Sequence, residues 1–401
     1  MSSNSLSRNG SGVHDGSGLR SRPIVIGDET FPYSFGRGCV PEIAAAIGNL
    51  APDKLVFVTD DDVLARYGRE LDTLAGAIPA LILSHPAGES MKTLDCLTEH
   101  LETALRAGIT RRSVIVAFGG GVPGNLAGLM ASLLFRGVRL VHVPTTTIAA
   151  MDSVLSLKQA INSGVGKNHL GTYYTPEAVF TDVEFFTTLP ERELRSGLCE
   201  MAKNCLAIQP SALPGLRAVI AGGALTAPDS LLWLLEASIA AKSAVTVRDT
   251  FERRAGLVLE YGHTVGHAIE ICDHRARGAA GLPHGTAIAL GMLVAAHISH
   301  ARGWLSDGEV GVHYEIVTGL GVEPVLPPSV RIDDVLAVVA DDNKRGYLPL
   351  HADTVPFVLL RALGRPELTG ELPLTPVQVR EIRAALDVIV QPSASAPIVI
   401  G

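Results

Sequence analysis

No Cys-x-x-Cys pair occurs in this chain, and its five cysteines, Cys39, Cys96, Cys199, Cys205 and Cys272, are scattered and odd in number. That indicates neither a disulfide framework nor a thiolate zinc site and predicts reduced, mostly buried thiols. Basic charge is scarce as well: 33 Lys and Arg stand against 41 Asp and Glu, a net charge of -8. A phosphate backbone or an anionic membrane needs a concentrated basic surface, so neither nucleic acid nor membrane is an expected partner. Any phosphate the chain binds is expected in a local pocket. Residues 1–22 are rich in Ser and Gly and lack the apolar core of a secretory signal. They read as a disordered tail on a cytoplasmic protein, and residues 392–401 read as a loose tail. An internal repeat is absent too.

Only one stretch invites a membrane reading, because Ser113 to Phe135 carries no charge. Gly119, Gly120, Gly121, Pro123, Gly124 and Asn125 interrupt it, which predicts a buried strand, a turn and a new helix instead.

What the chain does have is 401 residues, 47% hydrophobic, enough for two domains. Short β-branched runs at 23–26, 54–58, 80–83, 114–117 and 139–143 alternate with amphipathic stretches such as 91–107. Alternation of this kind predicts an α/β domain built on a doubly wound, mainly parallel sheet, here residues 23–188. From Leu189 the texture becomes helical, at 194–208, 231–246, 263–272 and 285–301, which predicts a mostly α-helical domain over 189–391.

Four groups of residues carry chemistry. The run Gly119-Gly120-Gly121-Val122-Pro123-Gly124-Asn125 follows a strand and opens a helix, a setting for pyrophosphate or for a tight structural turn. The acidic residue expected about 20 positions later is missing, and Asp60, ending an earlier strand, is the alternative ribose ligand. His263 and His267 share a helical face, suited to a divalent metal or to a polar seam in the core. The Glu that marks a zinc protease does not follow His263. Glu200 and Lys203 also share a face, as a surface ion pair or, given Leu198, Met201, Leu206 and Ile208 around them, as ligands for a metal and a phosphate. The polar stretch of Thr145, Thr146, Thr147, Asp152, Lys158 and Gly166 to His169 reads as a loop region, with ligand binding the alternative.

Taken in order, these motifs resemble the dehydroquinate synthase-like superfamily of sugar-phosphate cyclases from Asp60 to Lys344. The match comprises GE-x-x-K at 88–92, GGG-x-x-G-N, FRG at 135–137, PTT, D-S-(x4)-K at 152–158, GKN, TLP at 188–190, GLCE-x-x-K and GHT-x-GH. The resemblance implies a metal, zinc or cobalt, held by Glu200, His263 and His284, with His274 a competitor in the loop-like segment 273–282. It implies NAD bound by Asp60, Glu89, Lys92, Gly120, Gly121, Thr145, Thr146, Lys167 and Thr188. Catalytic work would fall to Lys158, Lys203, Glu260 and His267, and substrate binding to Asp152, Asn168, Lys242 and Lys344. Arg136 would reach into the neighbouring subunit of a homodimer.

Departures from the dehydroquinate pattern bear on the substrate. Gly256 and Glu260 stand where dehydroquinate synthases carry Arg and Asn, and Asn125 and Leu155-Ser156-Leu157 are further variants. Loss of a guanidinium suited to carboxylate recognition disfavours an anionic sugar acid and suits a neutral polyhydroxy ring. The expectation is a cyclase of D-glucose 6-phosphate from aminoglycoside antibiotic biosynthesis. Dehydroquinate or other heptulose-phosphate cyclisation and a metal-dependent polyol or glycerol dehydrogenase are the alternatives.

Overall fold

The computed structural model describes residues 13–14, 18–164, 166–340, 344, 346–349 and 353–390. By packing, the described residues divide into two units, one holding those up to 25, 29–145 and 157–185, the other 26–28, 146–156 and those from 186.

The first unit is built on β1 (Val13–His14), β2 (Arg20–Ile26), β3 (Glu29–Gly36), β4 (Leu55–Asp60), β5 (Ala80–His85), β6 (Val114–Gly119), β7 (Arg139–Pro144) and β10 (Ala178–Asp182). Their order across the sheet is β1-β2-β3-β10-β7-β6-β4-β5. All pairs from β3 to β5 are parallel, as the strand and helix alternation requires. Every residue of β6 is buried, the mark of a strand covered on both faces. α1 (Val40–Asn49), α2 (Asp61–Ala75), α3 (Leu94–Arg106) and α4 (Gly121–Leu133) are the helices that accompany the sheet.

Two expectations need correction here. Residues 20–22 of the presumed tail lie in β2, and Val13 and His14 pair with Ser21 and Arg20. β2 is next to the edge, flanked there only by the two-residue β1, and its residues 20–22 stay half-buried, so Arg-Ser-Arg is tolerated. The remainder of that tail, and residues 392–401, lie outside the described residues. The polar segment 158–173 is a hairpin, β8 (Lys158–Ser163) with β9 (Gly166–Tyr173). Its exposed second strand has no apolar face to announce it. As expected, the uncharged stretch 113–135 is β6, a turn and α4, and among the described residues no helix is long and apolar enough to cross a membrane.

The second unit consists mainly of α5 (Thr147–Met151), α6 (Glu191–Ala207), α7 (Leu213–Ala221), α8 (Pro228–Thr246), α9 (His263–Arg277), α10 (His284–Ala301), α11 (Asp307–Gly319), α12 (Ile332–Val339) and α13 (Val379–Val390). The loop expected from Asp273 is shorter, because α9 runs on to Arg277. Asp273 accepts two bonds from Arg277 one turn later, and Gly278 ends the helix at φ +57°. Packing is close where α9 crosses α10. A Cβ on Gly291 would lie 1.9 Å from the Gly262 carbonyl, and one on Gly266 would lie 2.9 Å from the Ile288 Cα. The glycines of GHT-x-GH therefore let two helix backbones touch.

Candidate active site

That contact sets the ends of α9 and α10 side by side. His263 and His267 occupy one face of α9, His284 opens α10, and their ring centroids are 5.0–5.5 Å apart. The start of α10 is pinned to α6, where Ser196 Oγ accepts from the Gly285 N–H at 2.9 Å. One turn further along α6 stands Glu200, 2% exposed, so the surface-pair alternative fails.

Hydrogen bonding fixes the tautomers. His263 Nδ1 lies 3.2 Å from the Tyr261 carbonyl and His284 Nδ1 lies 2.9 Å from Glu270 Oε2, so each donates through Nδ1. Both Nε2 lone pairs then face Glu200 Oε1, at 3.7 and 3.6 Å. Glu200 Oε1 is buried and has no hydrogen-bond partner. Three acceptors converging with no donor among them repel one another unless a cation sits between, so the residues fit a divalent metal. His274, the competitor, instead bonds the Leu282 carbonyl at 2.9 Å.

Around this point the second unit gathers buried ammonium groups. Lys203 Nζ lies 2.5 Å from Glu200 Oε2, Lys242 Nζ 2.7 Å from Asp152 Oδ1, and Lys344 Nζ 3.4 Å from Glu260 Oε2. Burial opposes charge on Asp152 and Glu260. Lys242 and Lys203 outweigh it for Asp152, and Lys344 with the nearby histidines and Lys203 outweighs it for Glu260, so both carboxyls sit well below the usual range. Burial pulls the His263 and His267 imidazoles down to about 3. On His284 burial is overcome by Glu270, Glu200 and Asp152, which raise it.

In the first unit, Gly119 adopts φ +151° and Gly120 caps α4, leaving the helix N-terminus free of side chains at Gly121. Asp60 caps α2, accepting from the Val63 N–H at 2.9 Å. The distant GE-x-x-K and GKN motifs meet. Lys92 Nζ donates to Asn168 Oδ1 at 2.5 Å, while Asn162 Nδ2 donates to Glu89 Oε1 at 2.9 Å. Thr145 is buried beside Gly119, whereas Lys158 and Lys167 are exposed on the hairpin. Thr146, which caps α5, and Thr188 belong to the second unit. Phe135, Arg136 and Gly137 all have positive φ, 52°, 68° and 132°, a strained turn that holds the Arg136 side chain at the surface.

Asn125 has a structural explanation. Its Nδ2 donates to the Gly121 carbonyl at 2.8 Å and its Oδ1 accepts from the Ala160 N–H at 2.7 Å, fastening α4 to β8. Among residues the sequence reading passed over, Glu270 stands out, seven residues after His263 and so on the same face of α9. Asp249 is another: it accepts from the N–H groups of Arg253, Arg254 and Gly256. A Cβ on Gly256 would meet Asp249 Oδ2 at 3.0 Å, so the loop is closed over the position where dehydroquinate synthases have Arg.

Comparison with known proteins agrees with this architecture. Residues 82–196 match the 3-dehydroquinate synthase N-terminal family and residues 197–345 the C-terminal family. The chain is 46% identical over 385 residues to the 2-deoxy-scyllo-inosose synthase of Streptoalloteichus tenebrarius, covering 96% of this chain and 97% of that one. The chain belongs to the 2-deoxy-scyllo-inosose synthases of the dehydroquinate synthase family. A second member, from Streptomyces lividus, is 47% identical over 92% of this chain and 95% of its own. Among solved structures of the family, a 2-deoxy-scyllo-inosose synthase complexed with carbaglucose-6-phosphate, NAD+ and Co2+ superposes with a TM-score of 0.84 at 34% identity, covering 91% of this chain and 99% of that one. A 2-epi-5-epi-valiolone synthase from Streptomyces hygroscopicus with NAD+ and Zn2+ bound reaches 0.76 at 25% identity, over 92% and 99%.

Proposed function

We propose that this protein converts D-glucose 6-phosphate to 2-deoxy-scyllo-inosose and phosphate, using NAD and one divalent ion, zinc or cobalt, in aminoglycoside antibiotic biosynthesis. It would work in the cytoplasm, as a homodimer. The observation that carries the proposal is the set of converging acceptors on Glu200, His263 and His284, ringed by three buried lysines, in a chain whose relatives are named for this product.

When bound, NAD supplies a hydride acceptor that is restored within the turnover, and the metal withdraws electron density from the C4 oxygen. Glu200, His263 and His284 would hold the metal. Lys203, Lys344 and His267 would grip the phosphate, with Asn168 and, from a second protomer, Arg136 assigned on family resemblance. Lys242, held by Asp152, and Glu260, held by Lys344, would orient hydroxyls; Lys158 joins them on resemblance. A carboxylate at Glu260 accepts from neutral hydroxyls and repels a substrate carboxylate, which favours a hexose phosphate over a sugar acid. The NAD residues are those of the glycine loop, Gly120 and Gly121, with Asp60, Glu89, Lys92, Thr145, Thr146, Lys167 and Thr188.

The deciding experiment incubates protein with glucose 6-phosphate, NAD+ and Co2+ or Zn2+ and follows phosphate, NADH and the carbon product by NMR. Phosphate and a deoxyinosose without net NADH support the proposal. Net NADH without phosphate would make it a dehydrogenase, and phosphate release with a heptulose substrate alone would make it a dehydroquinate-type cyclase.

A further inference from the structure

A second group of metal-binding side chains lies within the first unit, apart from the candidate active site. His85 is the last residue of β5, and Cys96 and His100 are four apart on α3, so they share a face of the helix. All three are buried, at 3%, 4% and 4% exposure. His85 Nδ1 lies 3.2 Å from His100 Nε2, and Cys96 Sγ lies 3.7 Å from that same nitrogen. One ligand atom from each of the three is within 4.8 Å of the others.

Bond lengths test whether these separations suit an ion. Zinc takes imidazole at roughly 2.0–2.1 Å and thiolate at roughly 2.3 Å, so tetrahedral angles set N···N near ~3.4 Å and N···S near ~3.6 Å. Both measured edges fall within a few tenths of an ångström of those values. The i, i+4 spacing on α3 brings the thiol to the same nitrogen that His85 approaches, so all three donor atoms converge on one point. Burial lowers both imidazoles, His100 to about 4, so each ring has a lone pair to offer, and it raises the Cys96 thiol to about 11, so the thiol sheds its proton only to a bound cation.

We propose that His85, Cys96 and His100 form a second metal site, with two nitrogen donors and one sulfur, that takes Zn2+. The Cys96 thiol loses its proton to solvent as the Zn–S bond forms. A sulfur-containing donor set favours zinc over magnesium or calcium. With three protein donors the ion keeps its fourth position for water, and it ties the end of β5 to α3 across the segment that carries Glu89 and Lys92.

The test uses the full-length protein loaded with zinc, then with cobalt. Metal analysis is expected to give two equivalents in the wild type, one in Cys96→Ala and one in Glu200→Gln. The cobalt protein should show a near-ultraviolet thiolate-to-cobalt absorption band. That band should persist in Glu200→Gln, which removes a ligand of the other site, and vanish in Cys96→Ala. One equivalent in the wild type, or a cobalt spectrum without the thiolate band, overturns the proposal. Because wild type and Glu200→Gln decide the matter spectroscopically, failure of Cys96→Ala to fold leaves the test intact.

Discussion

Replacing Glu270 with Gln isolates the tautomer argument on which the metal reading depends. In the native chain the His284 Nδ1 proton is held by a carboxylate at 2.9 Å, and the Glu270 side chain is 11% exposed, so little water competes. Glutamine keeps the size and an acceptor oxygen but removes the charge. Histidine ligands that lose an outer carboxylate partner typically lose 10–100-fold in metal affinity, about 1.4–2.7 kcal/mol. The low exposure of Glu270 places the expected loss toward the upper end of that range. Competition with a chromogenic chelator measures the affinity, and differential scanning calorimetry on the metal-free protein checks that the fold survives. The affinity of the metal-saturated variant for glucose 6-phosphate should change little, since Glu270 is not among the substrate groups. An unchanged metal affinity in a folded Glu270→Gln protein would refute the reasoning, because His284 would then be oriented by something else.

Other outcomes follow from the same contacts. Glu200→Gln should abolish stoichiometric metal at the candidate active site, read as the loss of one equivalent by metal analysis. Asn125→Asp should cost about 1–3 kcal/mol in urea unfolding, because a carboxylate cannot donate to the Gly121 carbonyl 2.8 Å away. Asp249→Ala strands three backbone N–H groups and should destabilise by at least about 2 kcal/mol, with loss of the 253–256 turn seen by hydrogen exchange. Asp152 is held below its usual value by Lys242 and Lys203, so its contribution to stability is complete above the unfolded carboxyl value, about 3.9, and is lost as pH falls through the lower folded value. Acid titration of Lys242→Met should therefore show unfolding that begins at higher pH than in the wild type.

The sheet was legible where strands are apolar throughout: the runs at 54–58, 80–83 and 114–117 became β4, β5 and β6 almost unchanged. β3 and the β8–β9 hairpin were not, since Pro32 interrupts one and the polar surface of the other offers no periodicity to read. Helix positions were plain from spacing, but only tertiary packing places α6, α9 and α10 so that Glu200, His263 and His284 converge. The order of motifs anticipated that set through family resemblance, while Glu270 and Tyr261, which fix the tautomers, bear no local mark beyond the helical register of Glu270. Asn125 shows the opposite limit. A variant that distinguishes one family from another in sequence proves to join two elements of the first unit.

The crossing of α9 and α10 also bears on ion selectivity. At Gly291 a Cβ would meet only main chain, the Gly262 carbonyl and the Gly266 N–H, while at Gly262 and Gly266 the Met292 and Ile288 side chains close up against α10's own backbone. His263 and His284 are carried on a rigid caliper of main chain, and the aperture between them is set by peptide groups already in contact. A methyl group added at Gly291 would have to force the two helices apart, and with them the rings of His263 and His284.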